Sequence, residues 1–490
     1  MYVVMVATEC APVTQAGGLG EVVQGLSREL EIRGNTVEIV LPRYRHMHQD
    51  QIYGMCVAMA DLWVPWYSGA VHCTVWFGKV HDRNCYFIES HSPDGFFERG
   101  GYYGDGDDVM RFAFFCKATM EFLLCSGKRP DIIHCHDWQT ALVPVLLYEL
   151  YQRAGMPHQR TCLTVHNFRY QGLCGDEVLW ATGLLPVHRF HTSERLADTV
   201  HPGALNLLKG GIVYSNFVAT VSPRHAWEVC HTDQGEGLGE TLGVHGGKLG
   251  GILNGVDYDM WNPEVDPFLA HRYSADEPDG KYANKAALRD RFWLADSFKP
   301  LVAYVGRLDE QKGLELLEHA IRYTLARGGQ FVLLGTGTSP GATERFGHLK
   351  SHLNDSPDCH LELGYRADLA HLVYAGADIL VMPSLFEPCG LAQLIALKYG
   401  AVPTVRAIGG LCDTVFDRDY DGSPWDERNG YVFHQPDRPA VESALGRALG
   451  LWYSHPAAFR ELMVNGMRTD HSWARPGQDY VNVYEHVRHK

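Results

Sequence analysis

The chain has 490 residues and a formal net charge of −15 at pH 7. Single hydrophobic cores usually stop growing at roughly 250 to 300 residues, so this length predicts two domains of similar size. The acidic balance argues against a general nucleic-acid or anionic-membrane partner, which needs a broad basic surface, whereas a neutral polymer fits the charge and the content of 11 Trp, 24 Tyr and 20 Phe.

The cysteines and the first residues indicate a reducing compartment. None of the 13 cysteines forms a Cys-x-x-Cys pair, which favours buried thiols over a disulfide framework. Met1 leads directly into the apolar residues 2–7 without a basic leader, and no apolar run approaches the ~20 residues of a membrane span. We therefore expect a cytoplasmic protein.

The first half of the chain alternates short apolar runs with helical patterns. Residues 2–7 predict a strand buried on both faces, and the helix that follows its turn has apolar residues at helical spacing up to Leu30, with Gly34 as its C-terminal cap. Further runs at 37–41, 132–133, 163–165 and 218–221 continue the alternation. The pattern predicts a parallel, doubly wound α/β sheet.

The alternation stops at residues 254–263, and the polar stretch up to about residue 295 is interpreted as a connector. Apolar runs resume at 301–305, 331–334, 361–363, 379–382 and 402–405, which predicts a second open α/β domain. Ligands of such sheets bind beyond the carboxyl ends of the strands, so two facing domains would form one interdomain cleft. The domains are predicted as 1–255 and 256–471, with a C-terminal helix at 472–490 that packs back on the first domain.

Two glycine pairs lie in turns between a predicted strand and a predicted helix. Gly17-Gly18-Leu19 follows the first strand, and Gly409-Gly410-Leu411 follows the run at 402–405. Missing side chains let a ligand approach the backbone, and a helix N-terminus favours an anion, so both turns suit a pyrophosphate. A tight turn without a ligand is the alternative.

Charged residues follow two strands of the second domain. Arg307 and Lys312 could provide the positive charge that an anionic leaving group needs, or they could be a solvated basic pair. Glu387 could hold sugar hydroxyl groups and stabilise positive charge on an anomeric carbon, or it could be a helix-start carboxylate. Cys389 is interpreted as a small buried residue because no neighbouring base is apparent.

Polar residues also close two strands of the first domain, in His134-Cys135-His136-Asp137-Trp138 and Thr164-Val165-His166-Asn167. A metal site at the first segment is disfavoured, because alternate residues of a strand point to opposite faces. Asp-x-Asp sequences occur at 257–259 and 417–419, but their loop positions argue against a metal-bound nucleotide.

Together these motifs resemble the glycogen and starch synthase family, and the resemblance covers nearly the whole chain. Within that family the motifs are most similar to those of cyanobacterial enzymes. The ordered set consists of the two glycine turns, His136-Asp137-Trp138, Thr164-Val165-His166-Asn167, Asn254-Gly255-Val256-Asp257, Arg307 with Gln311-Lys312-Gly313, and Phe386-Glu387-Pro388-Cys389-Gly390-Leu391. The resemblance implies two facing Rossmann-like domains of the GT-B type, and transfer of glucose from ADP-glucose to the non-reducing end of an α-1,4-glucan, with retention and no required metal or other cofactor.

The resemblance also implies roles for individual residues. Catalytic roles fall to Asp137, His166, Arg307, Lys312 and Glu387. Donor binding falls to Gln15, Gly17, Gly18, Asn254, Tyr365, Cys389, Gly390, Leu391, Gly409, Gly410 and Leu411, with Tyr365 against the adenine. Acceptor binding falls to Tyr103, Trp138 and Asn167.

Three residues depart from the family pattern. The family normally has Lys where this chain has Gln15, and it often has Thr where this chain has Ala392 and Ile408. These departures leave open a catalytically impaired glucan-binding or priming-scaffold protein. A relative that uses UDP-glucose or another acceptor, and a metal-dependent transferase, are further alternatives. The oligomeric state is not predicted.

Overall fold

A computed structural model describes residues 1–364 and 366–489. The chain divides into two compact units. The first consists of Met1–Gly255 with Trp473–Lys490, and the second consists of Val256–Ser472. Each unit has its own hydrophobic core, so each can position side chains on a rigid sheet.

The first unit is built on a mixed sheet. Its strands are β1 (Tyr2–Val6), β2 (Thr36–Pro42), β3 (Tyr53–Trp66), β4 (Gly69–Val80), β5 (Arg83–Ser90), β6 (Ile132–His136), β7 (Arg160–Val165), β10 (Phe217–Thr220) and β11 (Leu249–Gly251), with β8 (Leu173–Cys174) and β9 (Leu205–Asn206) as a separate short pair. The order in the large sheet is β11-β10-β7-β6-β1-β2-β5-β4-β3. Neighbours from β11 to β5 run parallel, as the apolar runs predict.

The β3–β4 hairpin departs from the predicted parallel sheet. Strand β4 pairs antiparallel with both β3 and β5. Most of β3 is exposed, so its residues do not form the continuous apolar run that identifies a strand buried on both faces. The sequence pattern therefore missed this extension.

Helices cover the sheet of the first unit. They are α1 (Leu19–Ile32), α2 (Asp108–Cys125), α3 (Leu142–Leu146), α4 (Glu177–Thr182), α5 (Leu207–Tyr214), α6 (Pro223–His231), α7 (Gly239–Val244) and, from the end of the chain, α16 (Ala474–Arg488). Tyr480, Tyr484 and Val487 of α16 are fully buried in the core of the first unit. The C-terminal helix is thus an integral part of this unit.

The second unit has a parallel sheet in the order β14-β13-β12-β15-β16-β17. Its strands are β12 (Leu301–Leu308), β13 (Gln330–Gly337), β14 (Cys359–Leu363), β15 (Ile379–Met382), β16 (Val402–Arg406) and β17 (Tyr431–Phe433). Its helices are α8 (Gly280–Phe292), α9 (Leu314–Ala326), α10 (Pro340–Leu353), α11 (Ala367–Gly376), α12 (Ala392–Lys398), α13 (Gly410–Thr414), α14 (Arg438–Ser454) and α15 (Pro456–Arg468).

The interpretation of the stretch up to residue 295 as a connector is wrong for α8. This helix buries Leu288 and Phe292 in the core of the second unit. It also buries Lys281, whose ammonium donates to the carbonyl oxygens of Tyr374, Ala375 and Tyr399. The helix looks like a linker in the sequence because its buried face includes polar side chains that are paired only in the fold.

The candidate residues lie where the parallel strands end. In the first unit most of them follow β1, β6, β7 and β11, while Tyr103 lies between β5 and α2; in the second they follow β12, β15 and β16. Carboxyl ends of parallel strands are the ligand-binding edge of an open α/β sheet. Within the described residues, no helix combines the length and apolar character of a membrane span.

Candidate active site

Asp137 lies directly after β6 in a strained backbone conformation, with φ 59° and ψ −177°. This region is costly for any residue except glycine, typically about 1–3 kcal/mol, and such strain concentrates at functional sites. The Asp137 N–H donates to the carbonyl oxygen of Thr164 at 2.9 Å. One carboxylate oxygen accepts from the backbone N–H groups of His166 at 2.7 Å and Asn167 at 3.4 Å. These bonds join the ends of β6 and β7.

Burial dominates the electrostatics of Asp137. Loss of hydration raises its pKa to about 7, against the lowering effect of the two backbone N–H donors. A carboxyl group of this kind exchanges its proton near neutral pH. Strongly perturbed carboxyl groups are candidates for catalytic groups.

Three histidines, two in β6 and one directly after β7, are kept neutral. His136 Nδ1 and His166 Nε2 lie 3.1 Å apart, so the pair shares one hydrogen bond. Burial lowers the pKa of His166 to about 4, that of His134 to about 3, and that of His136 well below its usual range. At pH 7 these rings therefore act as neutral hydrogen-bonding groups rather than as cations.

The C-terminal helix takes part in this histidine arrangement. His134 Nδ1 lies 2.7 Å from the hydroxyl of Tyr484, and His134 Nε2 lies 2.7 Å from Thr164 Oγ1. Thr164 Oγ1 is in turn 3.1 Å from the hydroxyl of Tyr480. The last helix of the chain thus contacts His134, whose ring lies 4.3 Å from that of His136, the partner of His166.

The first glycine turn is held by a glutamate that the sequence patterns did not indicate. Glu9 is 4% exposed, and one of its oxygens accepts from the N–H groups of Ala16 at 2.7 Å and Gly17 at 3.0 Å. The other oxygen accepts from the Tyr103 hydroxyl at 2.7 Å. The anion bound by these loop N–H groups is therefore the side chain of Glu9.

The tip of this turn remains open. Gln15 and Gly18 are exposed, and Gln15 Nε2 donates to Glu21 Oε1 at 3.1 Å. Among the described residues, no heavy atom beyond its neighbours lies within 4 Å of the position that a Cβ on Gly17 would take. Protein packing therefore does not require glycine here, which leaves room for a ligand.

The other candidates of the first unit differ in accessibility. Trp138 is 8% exposed and packs so closely on Gly172 that a Cβ there would lie 2.4 Å from the indole ring. Asn167 is half-buried, and its Oδ1 accepts from the backbone N–H of Arg169 at 3.0 Å. Asn254 is 7% exposed, and its Oδ1 has no hydrogen-bond partner in the part of the chain that the structure describes. This buried acceptor is available to a ligand.

In the second unit the central carboxylate is Glu387. It is 5% exposed and accepts from Lys312 Nζ at 2.7 Å and Ser384 Oγ at 2.9 Å. The helix-start interpretation of Glu387 is wrong, because α12 begins only at Ala392. The ion pair instead joins the loop after β12 to the loop after β15.

Backbone contacts hold these two loops together. The Gln311 carbonyl oxygen accepts from the N–H groups of Leu385 at 2.7 Å and Phe386 at 3.2 Å. Gly313 has φ +69°, and a Cβ on it would lie 2.2 Å from the Pro383 carbonyl oxygen. Glycine is therefore required at the end of the Gln311-Lys312-Gly313 segment.

Arg307 differs from Lys312 in that its guanidinium reaches solvent. Its side chain is 56% exposed, and the Asp309 carboxylate lies 3.7 Å away, beyond hydrogen-bonding distance. The Tyr304 hydroxyl fixes the Arg307 carbonyl oxygen at 2.6 Å. The backbone is thus anchored while the charged group is available to an anion.

The second glycine turn packs against the Glu387 loop. Gly409 has φ +46°, and a Cβ on it would lie 2.0 Å from the Glu387 carbonyl oxygen. Gly410 has a similar conflict with the Cys389 carbonyl oxygen at 2.3 Å, and Leu411 is buried in the core. These glycines are required by packing, whether or not a phosphate also binds.

The remaining donor candidates lie in the same loop. Cys389 is 5% exposed, and the half-buried Gly390 has φ +75°. The amide of Gln393 donates to the carbonyl oxygens of Cys389 and Gly390, both at 3.0 Å, and the half-buried Leu391 precedes α12. Tyr365 lies outside the described residues.

Two of the three departures from the family pattern affect packing. Ile408 is 5% exposed within the core of the second unit, and Ala392 packs against that core. Gln15, in contrast, is exposed at the tip of its turn. Gln15 is therefore the most accessible of the three departures.

The Asp-x-Asp segments have partners within the protein. Both Asp417 and Asp419 bind Arg447, at 2.8 and 2.9 Å, and Asp257 accepts from the backbone N–H of Asp259 at 2.9 Å. Within residues 1–364 and 366–489, no group of three or more His, Cys, Asp or Glu side chains is placed to hold a metal ion.

Comparisons with known proteins identify the family of this chain. The family described as "Starch synthase catalytic domain" matches residues 2–243, and "Glycosyl transferases group 1" matches residues 299–450. The chain is 60% identical to "Glycogen synthase 1" of a Synechococcus species, with full coverage of both proteins. It is 59% identical to "Glycogen synthase 2" of Methylococcus capsulatus, over 99% of this chain and 100% of that protein.

A solved structure extends the similarity to the fold. The catalytic domain of starch synthase IV from Arabidopsis thaliana, bound to ADP and acarbose, matches with a TM-score of 0.96 and 41% identity, covering 100% of this chain and 99% of that one. The two α/β units are therefore those of a GT-B glycosyltransferase. The chain belongs to the glycogen and starch synthase family.

Proposed function

We propose that the protein transfers glucose from ADP-glucose to the non-reducing end of an α-1,4-glucan, with retention of configuration. The observation that carries this proposal is the ion pair of the buried Glu387 with Lys312, which lies in the segment directly after the exposed Arg307. A carboxylate supported by cations suits a reaction that develops positive charge on a sugar and negative charge on a diphosphate.

The proposed reaction exchanges one glycosidic bond for another. The bond between glucose C1 and the β-phosphate oxygen of ADP breaks, and a bond between C1 and the acceptor O4 forms on the same face. The acceptor hydroxyl proton leaves with ADP. An active site that binds the separated charges of the transition state more tightly than it binds the ground state accelerates this step.

Donor binding is assigned to the second unit. Arg307 and Lys312 would neutralise the diphosphate as its charge grows, while Glu387 faces the glucose. The loops that contain Gly390 and Gly409 would place backbone groups against the donor. The assignment of Tyr365 to the adenine rests on the resemblance to the family.

Sugar binding in the first unit is assigned to the residues after β6 and β7. A neutral His166 can donate to or accept from a glucose hydroxyl, and the Asp137 carboxyl can stabilise charge near the reacting carbon. Asn254 would offer its free Oδ1 to the transferred sugar. Tyr103 and Asn167 would contact the acceptor, and Trp138 would contribute the small exposed part of its ring.

The reaction is proposed to need no metal ion and to take place in the cytoplasm. Arg307 and Lys312 would take the charge-neutralising role that a divalent cation has in other nucleotide-sugar enzymes. Undiminished transfer in excess EDTA is the expected result. A requirement for added Mg²⁺ or Mn²⁺ would contradict the metal-free reaction.

The test is to measure nucleoside diphosphate release from ADP-glucose and from UDP-glucose, with and without malto-oligosaccharide, while glucan length is followed in the same tubes. We expect acceptor-dependent ADP release with elongation. Preferential release of UDP would show that the donor is UDP-glucose rather than ADP-glucose. Glucan binding with neither donor consumed would indicate the impaired scaffold that Gln15 leaves open.

A further inference from the structure

We propose that Glu9 is a positioning residue of the active site, and that its side-chain oxygens fix the first glycine turn against Tyr103. This inference rests on the proposed function and extends it to a residue outside the motifs that carry the family resemblance. Glu9 follows β1 and is almost completely buried, so its contacts lie within the protein.

The hydrogen bonds of Glu9 connect two candidate substrate-binding segments. Oε2 accepts from the N–H groups of Ala16 and Gly17, at 2.7 and 3.0 Å, and Oε1 accepts from the Tyr103 hydroxyl at 2.7 Å. The Tyr103 oxygen also lies 2.8 Å from Thr8 Oγ1. A single side chain therefore sets the separation between the turn and Tyr103, although Tyr103 follows Gly17 by 86 residues along the chain.

The turn needs such a support because its tip has few other contacts. Gln15 and Ala16 are exposed, while Cys10 and Thr14 at the base of the turn are buried and bonded to each other through their backbones. The base is thus rigid without Glu9, and the tip depends on it. Misplacing a substrate-binding group by about 1 Å can cost on the order of 100-fold in rate.

The charge of Glu9 also reaches the catalytic histidine. It raises the pKa of His166 against the larger lowering effect of burial. Tyr103 remains a hydrogen-bond donor, because burial holds the pKa of its hydroxyl well above the usual range. The hydrogen-bonding length of the Glu9 side chain and its charge are therefore two separable properties.

Three substitutions at position 9 separate the effect of side-chain length from the effect of charge. In Glu9→Gln the amide oxygen can still accept from Ala16 and Gly17, and the amide nitrogen can donate to Tyr103 while that hydroxyl donates to Thr8. Glu9→Asp keeps a carboxylate but is one methylene too short to contact both segments. Glu9→Ala removes both properties. Positioning predicts that Glu9→Gln retains function and that Glu9→Asp and Glu9→Ala lose it.

The measurements are kcat and KM for each substrate, together with hydrogen exchange of the turn amides in the free protein. For Glu9→Asp and Glu9→Ala we expect about tenfold or greater losses in kcat/KM, and for Glu9→Ala also faster exchange at Ala16 and Gly17, whose two charge-assisted hydrogen bonds are lost. Glu9→Gln should stay within about threefold of the original protein in both measurements, since its acceptor oxygen is retained.

Glu38 offers a matched control. It is also a buried glutamate of the first unit, bound by Lys128 at 2.8 Å, but it lies near the amino end of β2, away from the strand ends that carry the site. Glu38→Gln should lower the melting temperature and leave kcat/KM and the exchange of the turn amides unchanged.

The proposal would be overturned if Glu9→Ala kept unchanged turn exchange and kcat/KM, or if Glu9→Gln were as impaired as Glu9→Ala, which would assign the effect to charge. The exchange measurement needs no turnover. If the original protein did not consume ADP-glucose, the proposed function would fail, while unprotected turn amides would separately contradict the role of Glu9.

Discussion

The two units hold their central carboxylates in opposite ways. Glu387 in the second unit is compensated by the full positive charge of Lys312 at 2.7 Å. Asp137 in the first unit is bound by backbone N–H groups beside neutral histidines, and its pKa is raised to about 7. One carboxylate is therefore held by an ion pair, whereas the charge of the other depends on proton binding near neutral pH.

Substitution of Glu387 in the second unit should have the largest effect on catalysis. Glu387→Gln leaves the half-buried Lys312 without its ionic partner and removes the charge proposed to stabilise the developing sugar cation. We expect kcat to fall by about 100- to 1000-fold, the range for loss of a preorganised electrostatic group. Steady-state kinetics at saturating donor would measure this loss.

Glu315→Gln is the matched control for this substitution. Glu315 pairs with Arg438 on the surface of the same unit, where both side chains are more than half exposed. Such surface pairs contribute at most about 1 kcal/mol to stability. Equal losses of kcat in Glu387→Gln and Glu315→Gln would remove the distinction between the two glutamates.

Asp137→Asn should separate activity from stability. We expect a loss of kcat on the order of 100-fold, because the substitution removes the ionisable group that we propose to act beside the reacting sugar. The folded pKa of about 7 exceeds the unfolded value of 3.8, so Asp137 destabilises the fold increasingly as pH rises from about 4 to 7. The variant should therefore be no less stable than the original protein at pH 8.

The measurement is the free energy of unfolding of both proteins in urea between pH 5 and pH 8. Stability of the original protein relative to Asp137→Asn should fall as pH rises, by about 1.4 kcal/mol for each pH unit in the steep part of the curve. A difference that does not change with pH would mean that Asp137 has an ordinary pKa.

The buried histidines should give the opposite dependence on pH. The folded pKa of His134 is about 3 and the unfolded value is 6.5, so stability is lost as pH falls below 6.5. Relative to His134→Gln, the original protein should lose up to about 1.4 kcal/mol for each pH unit between 6 and 4. Parallel stability curves for the two proteins would contradict a neutral His134 in the fold.

Gln15→Lys should have the smallest effect of these changes on the site. A lysine at this exposed tip would add one charge-assisted bond if a substrate contacts the turn, with a gain of about tenfold in kcat/KM. Ile408→Thr is a useful contrast, since a buried hydroxyl there should lower stability without raising activity. Unchanged turnover and donor affinity in Gln15→Lys would show that position 15 has no such role.

Much of the fold could be predicted because buried parallel strands appear as short apolar runs. The run at residues 379–382 matches β15, and the helical spacing up to Leu30 with Gly34 matches α1, which ends at Ile32. The exposed strand β3 and helix α8 were missed, because their residues become recognisable only through cross-strand pairing and through buried polar contacts.

The candidate site was predictable where its residues form sequence motifs. It was less predictable where one residue contacts segments that are distant in the sequence. Glu9 carries no periodic signal, and its contacts depend on a turn that folds back and on Tyr103. The packing of Gly409 against Glu387 was likewise invisible, because a glycine pair looks the same whether it accommodates a phosphate or a carbonyl oxygen.

The most direct test of the central claim follows labelled glucose from ADP-glucose onto maltoheptaose, with the isolated product then treated with an exo-acting enzyme that releases maltose from non-reducing ends. We expect the label to enter longer chains and to be released in the first maltose unit, as an α-1,4-linked terminal glucose. Label recovered as free glucose, or chains that bind the protein without being extended, would contradict it.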